Sequence, residues 1–559
     1  MSKWLPKSIL CLQSYTKRLF VGDLMAGITV GLVALPLAMA FAIASGVPPQ
    51  DGLYCAIVAG FVISALGGSK TQIGGPTGAF VVVVFAIVAK YGVDGLFMCT
   101  MMAGVILLIL GATGLGTAVK FIPRPVVVGF TNGIAVIIAS TQLKDFFGLK
   151  IDKVPGEFLG RIETVARNFS SFSPLETGLA VGALGVIVVF MRYVKRVPGY
   201  IVALLIGTAA VVLFKLPVET IGTRFGGIPS GLPTLRIPHF QLSLMRPLVS
   251  SAITVAMLGA IESLMSAVVA DRMSNDKHNP NVELVAQGIA NIVSPLFGGL
   301  PATGAIARTA TNIRSGAKTP VAGMIHALTL LGIVVFAAPL ARFIPLSVLA
   351  AILMVVSYNM GEWREIPELL KLSRMEIATW LVTFLLTVFA DLTVAVEVGM
   401  ILAVLVFIKK VTQTTTVAEV TEEYVSEGHA HILQHKVIPD YVSIFRIHGP
   451  FLFGATDKIE QITSRLPDLP PVLILRLRNM TAIDSTGLQA LESLADLVHD
   501  SGRELILCGA REQPSRIMHQ TEFQRHIGKE NMCESVDEAL ERARMVFSEA
   551  ATPDPVGKG

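Results

Sequence analysis

Long apolar runs without a charged side chain alternate with short polar segments up to residue 408. A helix that crosses a membrane needs roughly 20 apolar residues. Most of the runs approach that length. They cover residues 24–50, 52–69, 71–89, 95–119, 125–143, 177–191, 197–214, 247–270 with Glu262 inside, 284–307, 319–341, 343–361, 377–390, and 392–408 with Glu397 inside. Splitting the run 284–307 near Pro301 into a helix and an interrupted segment over 300–316 gives fourteen predicted crossings.

Two of the predicted crossings contain a break rich in glycine, proline and threonine. The breaks cover residues 67–78, GGSKTQIGGPTG, and residues 298–308, GGLPATGAIAR. Inside a bilayer, backbone outside a helix is tolerated only where protein or a water-filled cavity satisfies its polar groups. We therefore expect both breaks to be buried at mid-membrane, as is typical of binding sites in transporters built from broken helices.

Each break is predicted to lead into a short half-helix. Pro76 suits the first turn of a helix, because its missing N–H would be unpaired there in any case. The first half-helix should then continue from Thr77 through Val84. The second is predicted to start at Thr303 or Gly304 and to run past the end of its break.

The chain contains an internal repeat. The tripeptide Ile-Thr-Val occurs near the start of an apolar run at 28–30 and again at 253–255. The tripeptide Phe-Ile-Pro precedes an apolar run at 121–123 and again at 343–345. These two pairs and the two breaks are separated by 222 to 231 positions. Seven crossings per repeat is an odd number, so the second repeat is predicted to be inverted. The half-helices of crossings 3 and 10 would then point their N-termini at each other, which favours an anion.

The composition excludes a soluble enzyme. Of the 559 residues, 52% are hydrophobic and 15% are charged, which indicates an integral membrane protein. The net charge of +4 comes from Lys and Arg in the connections between apolar runs, so it does not indicate nucleic-acid binding. The five scattered cysteines predict neither a disulfide framework nor a metal site, and there is no Walker A phosphate loop. We expect no enzyme activity and no cofactor, with transport driven by an ion gradient.

The positions of Lys and Arg predict the orientation in the membrane. Placing the N-terminus in the cytoplasm puts the basic short connections on the cytoplasmic side, as the positive-inside rule requires. The long connections 144–176 and 215–246 carry mixed charge and then lie outside, while an even number of crossings returns the C-terminal region to the cytoplasm. No cleavage site precedes the first apolar run, so no removable signal peptide is predicted.

Ionisable residues within predicted crossings are candidates for function, because such residues are rare in membranes. Arg308 follows the second break, where its guanidinium could bind carboxylate, sulfate or bicarbonate through two hydrogen bonds. The alternative is structural pairing of Arg308 with an acidic neighbour. Glu262 lies in the middle of crossing 8 and could carry a coupling proton, the alternative being a buried salt bridge, for example with Arg308. Glu397 lies nearer the end of its crossing and is predicted to be interfacial.

Two stretches of the first crossings resemble the signature of the SulP anion transporters. They are Val33–Ala42, VALPLAMAFA, and Gly46–Tyr54, GVPPQDGLY. The resemblance covers nearly the whole chain. It implies a multi-pass protein of a bacterial inner membrane, a homodimer, a core domain of crossings 1 to 4 and 8 to 11, and a gate domain of crossings 5 to 7 and 12 to 14. It also implies that a small anion lies between the half-helices of crossings 3 and 10. The candidate substrate-binding residues are Phe41, Pro76, Thr77, Gly78, Ala79, Thr303, Gly304, Ala305, Ile306, Ala307 and Arg308, and the candidate ion-coupling residues are Glu262 and Ser266.

Finer similarities bear on the substrate. Ala256–Leu264 and Ala305–Arg308 are similar to a family member that transports C4-dicarboxylates. Many members have Gln and Tyr where this chain has Leu37 and Phe41, which leaves fewer polar side chains for sulfate. We therefore predict uptake of C4-dicarboxylates such as succinate and fumarate, or of sulfate, by alternating access.

The coupling ion is predicted to be a proton. Sodium-coupled bicarbonate members of the family have Asp at the position of Glu262 and a small hydroxyl residue at the position of Ile306. Sodium requires several oxygen ligands, so this chain is less suited to it. Sodium- or proton-coupled bicarbonate transport and a passive anion channel are the alternatives.

After residue 410 charged residues appear throughout, and a small α/β domain is predicted. Tyr441–Ile447, Val472–Leu475 and Glu504–Cys508 are typical of strands, and capped helix starts are predicted at Thr456–Asp457 and Asp484–Ser485. Strands that alternate with helices indicate one small sheet domain.

The segment Ala482–Leu488, AIDSTGL, resembles the STAS domain motif, in which the Ser after Asp is a phosphorylation position. The alternative for Ser485 is an ordinary helix N-cap. A STAS domain in a transporter implies a role in assembly or in regulation by a cytosolic partner. The alternative function suggested by this domain alone, a membrane-anchored signalling protein, would not explain the two breaks. The predicted domains are a cytoplasmic N-terminus (1–20), a transmembrane domain (21–411, with repeats 21–215 and 246–411), a linker (412–437), the STAS domain (438–548) and a disordered tail (549–559).

Overall fold

The computed structural model describes residues 4–115, 123–151, 154–194, 198–236, 241–390, 392–420 and 438–551. The chain divides into two compact units, Met1–Ala403 and Val404–Gly559. The division lies inside the helix Leu392–Thr414. The boundary predicted at residue 411 falls in the same helix.

The described residues of the first unit form helices and one two-stranded ladder, and the unit ends within its last helix, α17. Apolar runs become helices in a membrane because a helix satisfies its backbone hydrogen bonds internally. The helices are α1 (Lys7–Leu12), α2 (Lys17–Ala44), α3 (Pro49–Leu66), α4 (Gly78–Ala112), α5 (Arg124–Phe147), α6 (Phe158–Arg167), α7 (Pro174–Tyr193), α8 (Gly199–Phe214), α9 (Ile221–Phe225), α10 (Leu242–Ser274), α11 (Pro280–Leu296), α12 (Ile306–Arg314), α13 (Val321–Ala341), α14 (Leu346–Met360), α15 (Ile366–Leu369), α16 (Arg374–Phe389) and α17 (Leu392–Thr414), and the strands are β1 (Gly74–Gly75) and β2 (Thr303–Gly304).

Within the described ranges, eight helical segments are long and apolar enough to cross a membrane, and α8 is a shorter apolar helix. The predicted crossings 3 and 4 correspond to two helical segments of α4 that meet at a kink at Gly92, whose φ of 73° and ψ of −175° are not helical. The predicted helical membrane fold is confirmed. The number of fourteen crossings stays a prediction, and Glu397 has a side chain outside the described part of the chain.

The helices pack in two groups. α2 packs against α13, α3 against α11 and α13, and α4 against α10 and α11. In the other group α5 packs against α14 and α16, and α7 against α8 and α14. The first group, α2–α4 with α10–α13, agrees with the implied core domain. The second, α5, α7, α8, α14 and α16, agrees with the implied gate domain. Below they are called the core and the gate.

The two breaks lie side by side. β1 and β2 pair antiparallel, with Gly74 opposite Gly304 and Gly75 opposite Thr303; we call this pair the break ladder. Backbone polar groups that no helix satisfies are thus partly paired with each other, as burial requires. Since the strands are antiparallel, the chain leaves the ladder in opposite directions toward α4 and α12.

The predicted starts of both half-helices need correction. The first helix begins at Gly78 rather than at Pro76, and Thr77 is its N-cap residue. The second begins at Ile306 rather than at Thr303 or Gly304, and Ala305 is its N-cap residue. The physical reason is strand pairing, which holds the preceding residues in extended backbone and delays each helix.

The second unit contains a five-stranded sheet. Its strands are in the order β3-β4-β5-β6-β7; β3 is antiparallel to β4, and the remaining neighbours are parallel. Separate apolar clusters pack around the sheet, as expected of parallel strands buried on both faces. The elements are β3 (Thr416–Glu419), β4 (Val442–Phe451), α18 (Glu460–Thr463), β5 (Val472–Ile483), α19 (Ser485–Asp500), β6 (Glu504–Cys508), α20 (Glu512–Gln520), α21 (Gln524–Ile527), β7 (Met532–Cys533) and α22 (Val536–Ala551).

Several predicted boundaries differ from the observed elements. β3 belongs to the sheet although it falls in the predicted linker 412–437, of which 421–437 lie outside the described residues. The predicted helix start at Thr456–Asp457 is wrong, since a 3₁₀ helix already covers Phe453–Ile459. α22 extends to Ala551, into the predicted tail, and the rest of that tail lies outside the described residues. α1 and the start of α2 lie within the predicted N-terminal segment 1–20.

Candidate functional site

Hydroxyl groups of α10 hold the break ladder. The side chains of Ser263 and Thr303 share a hydrogen bond of 2.7 Å, and the backbone N–H of Gly304 donates to Oγ of Ser263 at 3.1 Å. The amide of Gln72 donates to the carbonyl oxygen of Ser263 at 3.1 Å. Ser263 thus connects one core helix to both breaks.

A second set of contacts lies beside the ladder. The hydroxyl groups of Ser266 and Thr309 are 3.0 Å apart, and the N–H of Ile73 donates to Oγ1 of Thr309 at 3.0 Å. The N–H of Ala305 donates to the carbonyl oxygen of Ile73 at 2.8 Å. Ser266, a predicted ion-coupling residue, is fully buried. In this conformation it joins α10 to α12.

Asn291 of α11 satisfies the backbone of the second break. Its amide nitrogen donates to the carbonyl oxygen of Ala302 at 2.8 Å, and its amide oxygen accepts from the N–H of Ala302 at 2.9 Å. The site residues predicted from the sequence did not include Asn291, Gln72, Ser263 or Thr309. Each is a polar side chain inside or beside a charge-free run, and that was the available signal.

Two glycines of the ladder are required by close approach. A Cβ atom on Gly304 would lie 1.7 Å from Nε2 of Gln72. Gly75 has φ of 145°, and a Cβ atom there would lie 2.8 Å from Nη1 of Arg308. Glycine at 75 therefore leaves the space that the guanidinium occupies.

Thr77 connects the first break to Glu262. Its hydroxyl donates to Oε2 of Glu262 at 2.7 Å. Thr77 is the N-cap residue of α4, yet its side chain makes no capping hydrogen bond to that helix. The first turn of α4 consequently keeps backbone N–H groups that its cap does not use.

Arg308 lies in the first turn of α12 and is 2% exposed. Its Nη2 donates to the carbonyl oxygen of Pro76, while its Nη1 has no hydrogen-bond partner among the described residues. Neither of the structural alternatives is observed in the described part of the chain, since no ion pair joins Arg308 to Glu262 or to another acidic side chain there. A buried guanidinium with an unused donor is suited to an anion.

A cavity of about 380 Å³ separates the break ladder from the gate. Of the predicted site residues, Phe41, Thr77, Gly78, Glu262, Gly304, Ala305, Ile306, Ala307 and Arg308 line it. Pro76, Ala79, Thr303 and Ser266 are buried and do not line it. Pro76 instead contributes its carbonyl oxygen to Arg308.

The gate supplies the opposite wall, and none of its residues was among the predicted site residues. This wall contains apolar residues of α5 and α14 and a few polar ones: Val126, Val127, Phe130, Thr131, Tyr200, Val356, Asn359, Met360 and Glu362. The gate helices carry no break, so no local signal marked them. Because the cavity lies between core and gate, a movement of one against the other would change access to it.

Ser485 lies in the second unit at the start of α19. The N-cap residue is Asp484, whose Oδ1 accepts from the N–H of Gly487 at 2.8 Å. The alternative role predicted for Ser485, an ordinary N-cap, is therefore wrong. Ser485 is the first residue of the helix, and it is exposed.

Comparisons with known proteins agree with both units. Residues 20–383 match the sulfate permease family, and residues 434–539 match the STAS domain. The putative sulfate transporter YvdB of Bacillus subtilis is 40% identical over 528 residues, which cover 94% of this chain and 98% of the relative. The bicarbonate transporter BicA of a Picosynechococcus strain is 32% identical over 548 residues, which cover 93% and 94%.

Solved structures show the same fold. The structure of SLC26A9 matches with a TM-score of 0.86 at 19% identity, over 98% of this chain and 94% of that one. The transmembrane domain of a cyanobacterial BicA matches with a TM-score of 0.62 at 36% identity, over 70% and 98%. The matched relatives are named as transporters, which confirms the prediction that the chain is not an enzyme. The chain belongs to the sulfate permease family and carries a C-terminal STAS domain.

Proposed function

We propose that the protein is a secondary active anion transporter that couples uptake to protons and works by alternating access. One observation carries the proposal: the pair Thr77–Glu262 and the guanidinium of Arg308 line the same cavity between core and gate. A site for negative charge and a carboxyl group that can take up a proton thus share one space.

The anion site is formed by Arg308 and by the first turns of α4 and α12. Nη1 of Arg308 has no partner among the described residues, and the two helix starts supply backbone N–H groups and positive dipole ends. A carboxylate, sulfate or bicarbonate oxygen can accept from both kinds of donor. Binding there repays the desolvation of the guanidinium.

Glu262 supplies the coupling. While ionised, its carboxylate repels an anion in the same cavity; once protonated, it no longer does. Anion and proton therefore promote each other's binding, since such linkage is reciprocal. A passive anion channel would give this carboxylate no task.

The cavity favours an organic anion over sulfate. Its lining includes Leu37, Phe41, Phe130, Leu258 and Met265, and apolar walls cannot replace the hydration of an oxyanion on every side. A C4-dicarboxylate presents a carbon chain to such walls. Bicarbonate is the second candidate, favoured by the 32% identity with a protein named as a bicarbonate transporter.

The experiment is uptake of labelled succinate, sulfate or bicarbonate into proteoliposomes, with and without a pH gradient, and with sodium as the alternative driving ion. We expect succinate uptake to follow the proton gradient and Glu262→Gln to transport without responding to it. The matched control is Glu163→Gln, which changes an exposed glutamate in α6 that pairs with Arg167. Wild-type flux that ignores the proton gradient, or a Glu262→Gln variant whose uptake still follows the gradient as in wild type, would refute the proposal.

The proposal includes a bacterial inner membrane with both termini cytoplasmic, a homodimer, and a cytosolic regulator on the STAS domain. Mass measurement of the purified protein by light scattering with detergent subtracted tests the dimer. Phosphate analysis of Ser485, compared with Ser485→Ala, tests regulation at that residue. Protease access from each side of oriented vesicles tests the orientation.

A further inference from the structure

Arg161 is a buried cation outside the cavity. It lies in α6, within the connection 144–176 that the charge pattern assigns to the outside, and it is 2% exposed. Burial lowers the pKa of its guanidinium to about 10, and no charged neighbour offsets that effect. A buried charge is normally paired with an opposite one.

The partners of Arg161 are neutral. Its Nη1 donates to Oγ of Ser140 at 2.9 Å, and its Nη2 donates to the carbonyl oxygen of Gly156 at 2.7 Å. Its Nε has no hydrogen-bond partner, and no carboxylate among the described residues forms an ion pair with it. The positive charge is therefore uncompensated within the described part of the chain.

Arg161 bridges the gate and the core. Ser140 belongs to α5 of the gate, and α6 itself packs against α5 and α16. On the other side the guanidinium lies over the ring of Phe85 in α4 of the core, 5.9 Å from its centroid. Gly156 also lies against this ring, because a Cβ atom on Gly156 would be 3.3 Å from a ring carbon of Phe85. Phe85 is thus covered by the α6 connection at the seam between core and gate.

We propose that Arg161 closes the seam between core and gate on the side of the membrane where α6 lies, here called the α6 side. It does so by resting on Phe85, and it binds the incoming small oxyanion when the core moves away. The inference rests on the proposed transport function and on the movement of core against gate. A cation over an aromatic ring is a weaker contact than a buried ion pair, so it can break in every cycle. Without a carboxylate partner, the exposed guanidinium is free for an anion.

The first test is sided transport kinetics in oriented vesicles. With succinate as the probe, Arg161→Gln is expected to raise KM roughly tenfold for anion presented on the α6 side, and to leave KM from the opposite side unchanged. Arg161→Lys keeps the charge and is expected to keep KM within about twofold of wild type. The control is Arg167→Gln, which removes an exposed arginine of the same helix.

The second test does not depend on transport. Ser140 is buried, so Ser140→Cys should react slowly with an impermeant maleimide added on the α6 side. Phe85→Leu removes the ring, and in that background we expect labelling to accelerate roughly fivefold. If the wild-type protein transports no anion, the proposed function is wrong. The labelling rate still tests whether Phe85 closes the seam between core and gate.

Three outcomes would overturn the inference: an equal rise of KM from both sides, a loss of maximal rate alone in both Arg161 variants, or labelling that Phe85→Leu does not change. An equal rise of KM from both sides would mean that Arg161 acts only through the overall charge of the protein. A loss of maximal rate alone would mean that Arg161 is needed for folding, and unchanged labelling would mean that Phe85 has no role in closure.

Discussion

Thr77 donates its hydroxyl hydrogen to Glu262 across 2.7 Å, although the two residues are 185 positions apart in the chain. The side chain of Thr77 thus bonds to a carboxylate of α10 and makes no capping hydrogen bond to its own helix α4. The arrangement links the protonation of Glu262 to the first break. It also leaves the start of α4 open to a ligand.

Replacing Thr77 tests this link. Thr77→Val keeps the shape of the side chain but removes the donor, and a hydrogen bond to a charged group contributes about 1.5–3 kcal/mol. We expect proton-driven uptake in proteoliposomes to fall at least tenfold, because about 1.4 kcal/mol corresponds to a factor of ten. Thr77→Ser retains the hydroxyl and is expected to stay within about threefold of wild type. Equal rates in the two variants would contradict the assigned role of the hydroxyl.

The break ladder should be intolerant of added volume at Gly304. Gly304→Ala places a methyl group against Gln72, at a site where a Cβ atom would lie 1.7 Å from Nε2. Overpacking of this kind costs about 1–3 kcal/mol, which should lower the midpoint of thermal unfolding. Gly332→Ala in α13 is the control, because its Cβ atom would meet nothing within 4 Å. There alanine should stabilise by about 0.5–1 kcal/mol, so a lower midpoint in both variants would disprove the steric argument.

Asp276 fastens the N-terminal helix α1. It accepts from Nζ of Lys7 at 3.1 Å and from Nζ of Lys70 at 3.0 Å. Asp276→Asn should weaken this contact by about 0.2–1 kcal/mol, since the three side chains are partly exposed. We expect Cys11 of α1 to react up to about fivefold faster with maleimide, compared with Asp94→Asn as an exposed control. An unchanged rate of labelling would mean that other contacts hold α1.

The same contact should depend on pH. Burial acts to raise the pKa of Asp276, but hydrogen bonds from Lys70 and Lys7 outweigh burial, so this pKa lies below its ordinary value. Its stabilising contribution is then fully present above the ordinary pKa of about 4, and it is lost as the pH falls through the lower folded value. Hydrogen exchange of α1, corrected for intrinsic rates, should show no release between pH 5 and 8 and release below about pH 4. Release within the range from pH 5 to 8 would be inconsistent with this assignment.

Asp484 and Ser485 are expected to contribute differently to the stability of helix α19 in the STAS domain. Asp484 accepts from the N–H of Gly487 at 2.8 Å and from the N–H of Phe453 at 3.1 Å. Asp484→Ala should therefore cost about 1–2 kcal/mol, as for other N-caps. Ser485→Ala should cost less than about 0.5 kcal/mol, because the side chain is exposed. Hydrogen exchange over α19 in the full-length protein measures both, and comparable exchange in the two variants would argue against Asp484 as the cap.

Local patterns were sufficient for some features of the site. Charge-free apolar runs predict membrane helices because length and hydropathy are local properties. The two breaks, Arg308 and Glu262 stand out in the sequence because glycine, proline and charge are rare in such runs. These signals predicted part of the core's lining of the cavity, including Thr77, Glu262 and Arg308, but not its apolar residues such as Leu258 and Met265.

The starts of the half-helices could not be predicted in this way. Pro76 and Thr303 satisfy local rules for a first helical turn, yet Thr303 is paired with Gly75, a residue about 230 positions away, and the helix after Pro76 begins only at Gly78. Likewise the gate wall, with Phe130 and Glu362, carries no break and no unusual composition.

The sequence by itself determined the membrane class, the positions of the breaks, the charged residues within the crossings and the small C-terminal sheet domain. Only the tertiary structure decided that the breaks pair, that Thr77 meets Glu262, that Arg308 keeps a donor free and that Arg161 lies over Phe85. The reason is physical. Hydrophobicity and helix-breaking act within a few residues, whereas hydrogen bonds and ring contacts depend on which distant segments the packed helices bring together.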